Sequence, residues 1–128
     1  MLLRGRSGAG KSDLALRLID RGWMLVADDY VVLREQHGIV IASAPPRIAG
    51  MIEVRGVGLI PLPALERAPL CLVVDLDMPP QRIPEPAFTP IAGHDLPCIA
   101  LSAMEPSAPI KVEHSLRLHG VALNWGMQ

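Results

Sequence analysis

The chain has 128 residues, half of them hydrophobic and 20% charged, with a formal net charge of −1 at neutral pH. That length fits one domain able to bury about two-thirds of its unfolded surface, and the composition lacks the charge-rich signature of disorder. No basic excess favours nucleic acid, and the four aromatic residues (Trp23, Tyr30, Phe88, Trp125) are too few for a base-stacking platform.

Met1, Leu2 and Leu3 form an apolar stub where a strand belongs. Gly5-Arg6-Ser7-Gly8-Ala9-Gly10-Lys11-Ser12 follows and fits G-x-x-x-x-G-K-[ST]. Glycines let successive N–H groups converge on one anion, the lysine adds a compact positive charge, and the Ser12 hydroxyl can ligate Mg²⁺. At average composition this pattern arises by chance roughly once in 20,000 start positions, so the loop is assigned to phosphate binding. Residues 13–22 read as a helix ended by Gly22, with its positively polarised N-terminus aimed at the same phosphates. Only four residues precede Gly5, which suggests that upstream sequence is missing and would leave a sticky strand edge.

The apolar run 23–27 reads as a buried strand that ends in Asp28-Asp29. Residues 30–34 resume as a strand, Gln36-His37-Gly38 makes a turn, and residues 39–43 return as a hairpin. Pro45-Pro46 interrupts the pairing, with a short helical turn over 47–51. Residues 53–60 follow, in which Glu53 and Arg55 would share one strand face. Residues 70–76 are the strongest strand candidate, being long and β-branched. The proline-laden stretch 79–97 reads as largely loop, 99–101 as a last short strand, and 108–123 as a helix with Ser107 as N-cap and Pro109 in its first turn. No repeat or linker appears, so residues 1–128 read as a single α/β domain with more strand than helix.

In open α/β sheets ligands gather at the carboxyl ends of strands, so Asp28 and Asp29 are the second chemical feature. One carboxylate can face a metal while the other faces an acceptor. Asp75 and Asp77 also end a strand, and either a place in the cleft or a plain loop boundary accounts for them. His114 and His119, five apart, are poorly spaced for one helical face, and His37 and His94 sit in turns. Cys71 and Cys98 stand in apolar runs without a Cys-x-x-Cys partner and are expected as buried free thiols in a reducing cytosol. No apolar run reaches transmembrane length and no signal peptide precedes the loop, so a cytoplasmic chain without membrane contact is expected.

The loop at 5–12 with Asp13, and then Arg21-Gly22-Trp23-Met24-Leu25-Val26-Ala27-Asp28-Asp29, resemble the HPr kinase/phosphorylase catalytic domain. Residues 52–60 are similar to that family's signature segment. Beyond Leu70 the similarity is looser, resting on the strand, the loop at 81–84 and the helix near Lys111. The resemblance implies a P-loop domain related to phosphoenolpyruvate carboxykinase, with a mostly β core and few helices. It implies transfer of phosphate from ATP to a serine of the carrier protein HPr, the reverse phosphorolysis by inorganic phosphate, and a homo-oligomer.

In that resemblance Gly5, Ser7, Gly8, Ala9, Gly10, Lys11 and Ser12 hold the phosphates, and Ser12, Asp29 and Glu53 face Mg²⁺ or its waters. Asp28 matches the catalytic carboxylate, and Arg82 matches an arginine near the transferred phosphate. The chain lacks an N-terminal domain and the arginine- and glycine-bearing segment before the last helix, so it is similar to the short forms of the family. Two alternatives remain: a P-loop kinase with another acceptor, and a nucleotide- or phosphate-sensing module that binds without transfer.

Overall fold

The computed structural model describes residues 1–122. Strand β1 (Leu2–Arg4) leads through the glycine-rich loop into helix α1 (Lys11–Asp20). Strands β2 (Val32–Gln36) and β3 (Ile39–Ser43), a single 3₁₀ turn (Pro46–Ile48), and strands β4 (Met51–Val54), β5 (Gly58–Pro61) and β6 (Arg67–Pro69) follow. The chain then forms β7 (Val73–Asp75), β8 (Phe88–Ile91), β9 (His94–Ala100) and helix α2 (Ala108–His119). The expectation of a mixed α/β domain with few helices and a mostly sheet core is met.

A four-stranded sheet in the order β1-β7-β9-β8 carries the molecule. β1 and β9 both run parallel to β7, with Leu3 opposite Val74 and Val74 opposite Ile99, while β8 is antiparallel to β9. Successive side chains of a strand point to opposite faces, and the apolar run 70–76 uses both. Leu72 and Val74 pack with Leu14, Leu18, Ala108 and Val112 of the two helices. Leu70 and Val73 pack with Val40 and Ala42 of the three-stranded sheet β2-β3-β6. A central strand covered on both faces explains why this run has no polar alternation before Asp75.

Four expectations fail. Residues 23–27 are not a strand: a lone parallel bridge joins Leu25 to Ala64, and the Leu65 N–H donates to the Leu25 carbonyl at 2.8 Å. Burial of Leu25, 5% exposed, accounts for its apolar character. Asp28 and Asp29 therefore lie in a loop, not at a strand end. Residues 53–60 do not form one strand but split into the hairpin β4–β5, which leaves Arg55 in the turn and off any face shared with Glu53.

The stretch 79–97 is not loop throughout, because β8 and most of β9 form a hairpin within it. The Cys98 N–H donates to the Ala87 carbonyl at 2.9 Å. The ring nitrogen of Pro97, one residue earlier, therefore points to the opposite edge, where β9 has not yet met β7. A proline there removes no ladder bond.

The remaining elements fall close to expectation. The hairpin at 36–39 turns on His37 and Gly38, at φ 53° and 79°. Helix α2 ends at His119, and Gly120 is extended (φ −64°). Leu123, expected as its last residue, lies outside the described residues. Ser107 is the N-cap residue, yet its side chain makes no capping hydrogen bond. Cys71 and Cys98 are free and half-buried. Among the described residues no helix is long and apolar enough to cross a membrane.

Candidate active site

The chain leaves β1 at Arg4 and enters α1 at Lys11, so the loop is anchored by a sheet strand on one side and a helix on the other. The Ala9 N–H donates to the Arg6 carbonyl at 3.1 Å and closes a tight turn. Gly8 and Gly10 take φ values of 87° and 93°, conformations that side chains disfavour. A Cβ on Gly10 would also come within 3.0 Å of the Ala103 Cβ. Gly10 is the N-cap residue of α1 and offers no side chain to the first-turn amides. These amides are left for another acceptor, and an anion suits them. Lys11 is half-buried, and its ammonium donates to the carbonyls of Gly5 and of Arg6, the latter at 3.2 Å.

Asp28 meets this loop. The Ser12 hydroxyl donates to Asp28 Oδ1 at 2.8 Å, and the Glu53 N–H donates to Asp28 Oδ2 at 3.0 Å. One carboxylate thus joins the first turn of α1 to strand β4. Lys11, Asp28 and Asp29 line a single cavity of about 320 Å³ whose walls include Leu2, Leu18 and Leu25. Asp29 is exposed and has no hydrogen-bond or ion-pair partner among the described residues. The Glu53 side chain is exposed on β4. Arg82 is exposed in the loop between β7 and β8 and touches none of these groups through a hydrogen bond or ion pair. Among the described residues no three His, Cys, Asp or Glu side chains gather closely enough to hold a metal ion by themselves.

Other polar groups brace the loop. Arg4 pairs with Asp75 at 3.0 Å and donates to the Thr89 hydroxyl at 3.0 Å. Asp75 Oδ1 accepts the N–H groups of Asp77 (2.9 Å) and Met78 (3.3 Å). Burial pushes the Asp75 carboxyl up, but the Asp77 amide, the Arg4 guanidinium and the Met78 amide outweigh it and hold it below the usual carboxylate range. Both oxygens of Asp77 accept the Arg6 N–H, at 2.9 and 3.1 Å. Arg17 of α1 donates to the carbonyls of Ala103 and Glu105, pinning the segment that packs on Gly10.

Behind the segment that carries Asp28, Glu113 of α2 accepts from Arg21 at 2.6 Å and from the Trp23 indole at 3.0 Å. The Arg21 and Trp23 hydrogen bonds draw the Glu113 carboxyl below its ordinary range. Arg4, Arg17 and Glu113 were not singled out from sequence. The partners through which they brace the loop stand 71 to 92 positions away, and no local motif marks such pairs. A faint signal existed for Asp75: an aspartate closing an apolar strand of an α/β sheet.

Residues 1–65 match the family described as HPr Serine kinase C-terminal domain. The HPr kinase/phosphorylase of Clostridium novyi is 52% identical over 65 residues, 51% of this chain and 21% of that protein. The protein of the same name from a Geobacillus species is 42% identical over 86 residues, 61% of this chain and 28% of that protein. The matched stretch thus spans between 21% and 28% of these relatives. The solved Hpr(Ser) kinase/phosphatase from Coxiella burnetii superimposes with a TM-score of 0.78 at 29% identity, covering 91% of this chain and 79% of that one. With half of its residues matching the family and its fold reproduced in a solved relative, the chain belongs to the HPr Serine kinase C-terminal domain family.

Proposed function

We propose that this chain is a Mg²⁺-dependent kinase domain that moves the γ-phosphoryl group of ATP to a serine of an HPr-type carrier protein, with phosphorolysis as the reverse. The observation that carries this reading is the 2.8 Å hydrogen bond from Ser12 to Asp28, which sets a carboxylate against the end of the glycine-rich loop. In this reading the loop is a phosphate site of the kind shared with phosphoenolpyruvate carboxykinase-like folds. Residues 1–128 act as one domain in the cytoplasm, within a homo-oligomer.

The residues divide the work. Backbone amides of residues 8–12, with Gly5, Ser7 and Lys11, hold the phosphates. Phosphoryl transfer depends on such positioning and charge neutralisation more than on covalent help. Asp28 takes the proton of the serine hydroxyl as its oxygen bonds to the γ-phosphorus and the bond to the β-phosphate oxygen breaks, releasing ADP. General-base help of this kind contributes typically 10²–10⁴-fold. In phosphorolysis, an oxygen of inorganic phosphate bonds to the phosphorus of phosphoserine, the bond to the serine oxygen breaks, Asp28 returns the proton to that oxygen, and pyrophosphate leaves. Arg82 reaches the transferred group from its loop.

The donor set at the site is all oxygen, which fits Mg²⁺. Ser12, Asp29 and Glu53 would hold it, with phosphate oxygens and waters completing the shell, and it would neutralise charge on the phosphates.

Radiolabel transfer from ATP to purified HPr tests the reading. Asp28→Asn is expected to lose at least a hundredfold in transfer while retaining nucleotide binding. Full transfer by Asp28→Asn with loss in Asp29→Asn would move the base to Asp29. Tight nucleotide binding without transfer by the wild type would leave a sensing module in place of a kinase.

A further inference from the structure

We propose that Asp77 is a positioning residue for the phosphate site: its carboxylate fixes the Gly5 and Arg6 stem of the loop, and thereby the two carbonyls on which the Lys11 ammonium rests. The inference builds on the phosphate reading of the loop given above.

The geometry runs in one direction. Asp77 follows the end of β7, and its own N–H is held by Asp75 Oδ1 at 2.9 Å. Asp75 is 7% exposed and is tied to Arg4, the last residue of β1, at 3.0 Å. The Leu76 N–H donates to the Arg4 carbonyl at 2.7 Å, so the ends of β1 and β7 are joined through backbone as well as side chains. From this fixed point both Asp77 oxygens reach back to the Arg6 N–H. The Arg6 and Gly5 carbonyls then take the Lys11 ammonium.

A backbone amide bonded to an ionised carboxylate is among the stronger hydrogen bonds. The Arg6–Asp77 side-chain pair adds little, because it spans 3.6 Å and the arginine is 84% exposed. Gly5 fits the same seat: a Cβ there would meet the Ala9 Cβ at 3.0 Å and Asp77 Oδ1 at 3.4 Å.

A carboxylate near an anion site also repels the anion, so the two contributions have opposite signs. Repulsion alone makes Asp77→Ala bind phosphate more tightly, whereas positioning makes it bind more weakly. Asp77→Asn separates them further, since its amide oxygen still accepts the Arg6 N–H and its charge is gone.

The test uses the whole chain, with Mg²⁺-pyrophosphate binding by calorimetry and exchange of the Arg6 amide by NMR. Asp77→Ala is expected to bind about tenfold more weakly and to lose protection of the Arg6 amide. Asp77→Asn is expected to stay within about twofold of the wild type with that amide still protected, and it answers the question even if the alanine variant folds poorly. Equal or tighter binding by Asp77→Ala overturns the proposal, as does Asp77→Asn binding as weakly as Asp77→Ala while its Arg6 amide is still protected. A wild type that binds no pyrophosphate overturns the phosphate reading itself. Normal wild-type binding with an indifferent Asp77→Ala overturns only the present inference.

Discussion

Lys11 is one of two lysines in the chain, the other being Lys111 on α2. Its ammonium rests on two carbonyls of its own loop, which aim it and leave its third N–H for a phosphate oxygen. Removing it leaves the backbone amides to hold a polyanion without a counter-charge. Lys11→Ala is expected to weaken nucleotide binding and to lower transfer at least a hundredfold, the scale of one transition-state donor; unchanged turnover in a phosphotransfer assay would remove the phosphate assignment. This residue was legible because its motif is local, eight positions with every requirement inside them. The meeting of Ser12 with Asp28 was partly legible, since sixteen positions of helix and loop separate them. Asp77 was left open between cleft and loop boundary, because its partner Arg6 lies 71 positions away and only the parallel pairing of β1 with β7 brings them together.

Elements were readable wherever one chemical pattern had one geometric solution. The hairpin β2–β3, helix α1 and the central strand β7 are of this kind. Residues 23–27 were misread because an apolar run reports burial, and burial of Leu25 needs no ladder. The hairpin β8–β9 was missed because prolines signal loop, unless their nitrogens face an unpaired edge as Pro97 does. Between elements, Glu113 is the joint to test. It holds Arg21 at the end of α1 and Trp23 at the start of the segment that carries Asp28. Glu113→Ala is expected to lower the thermal midpoint and shift Trp23 fluorescence to the red as its indole loses its acceptor. Unchanged melting and emission would mean that α1 and α2 hold each other through Leu14, Leu18 and Val112 alone.

On the scale of the whole molecule, one sheet separates two apolar clusters, and both converge on β7. The strand passes from Val73 and Val74, fully buried, to Asp75, a buried carboxylate. At that residue the core ends and the network that braces the loop begins, so global stability and the geometry of the proposed site share a charge. Linkage gives the sign. The folded-state pKa of Asp75 lies below its unfolded value, which is about 3.9. Its contribution is therefore complete above the unfolded pKa and is lost as pH falls through the folded one. The groups facing it are Arg4, Cys98 and the amides of Asp77 and Met78, and burial pushes the Cys98 thiol up, away from the acid range. Glu113 shifts in the same direction and adds to the same acid limb. Urea midpoints measured from pH 6 to pH 3 are therefore expected to fall for the wild type. Asp75→Asn should be less stable at pH 6, since Arg4 loses its counter-charge, and its deficit should narrow as the wild-type carboxylate protonates. A constant offset between the two curves across that range would show that the ionised carboxylate of Asp75 contributes nothing to folding. The brace between core and loop would then depend on its shape alone.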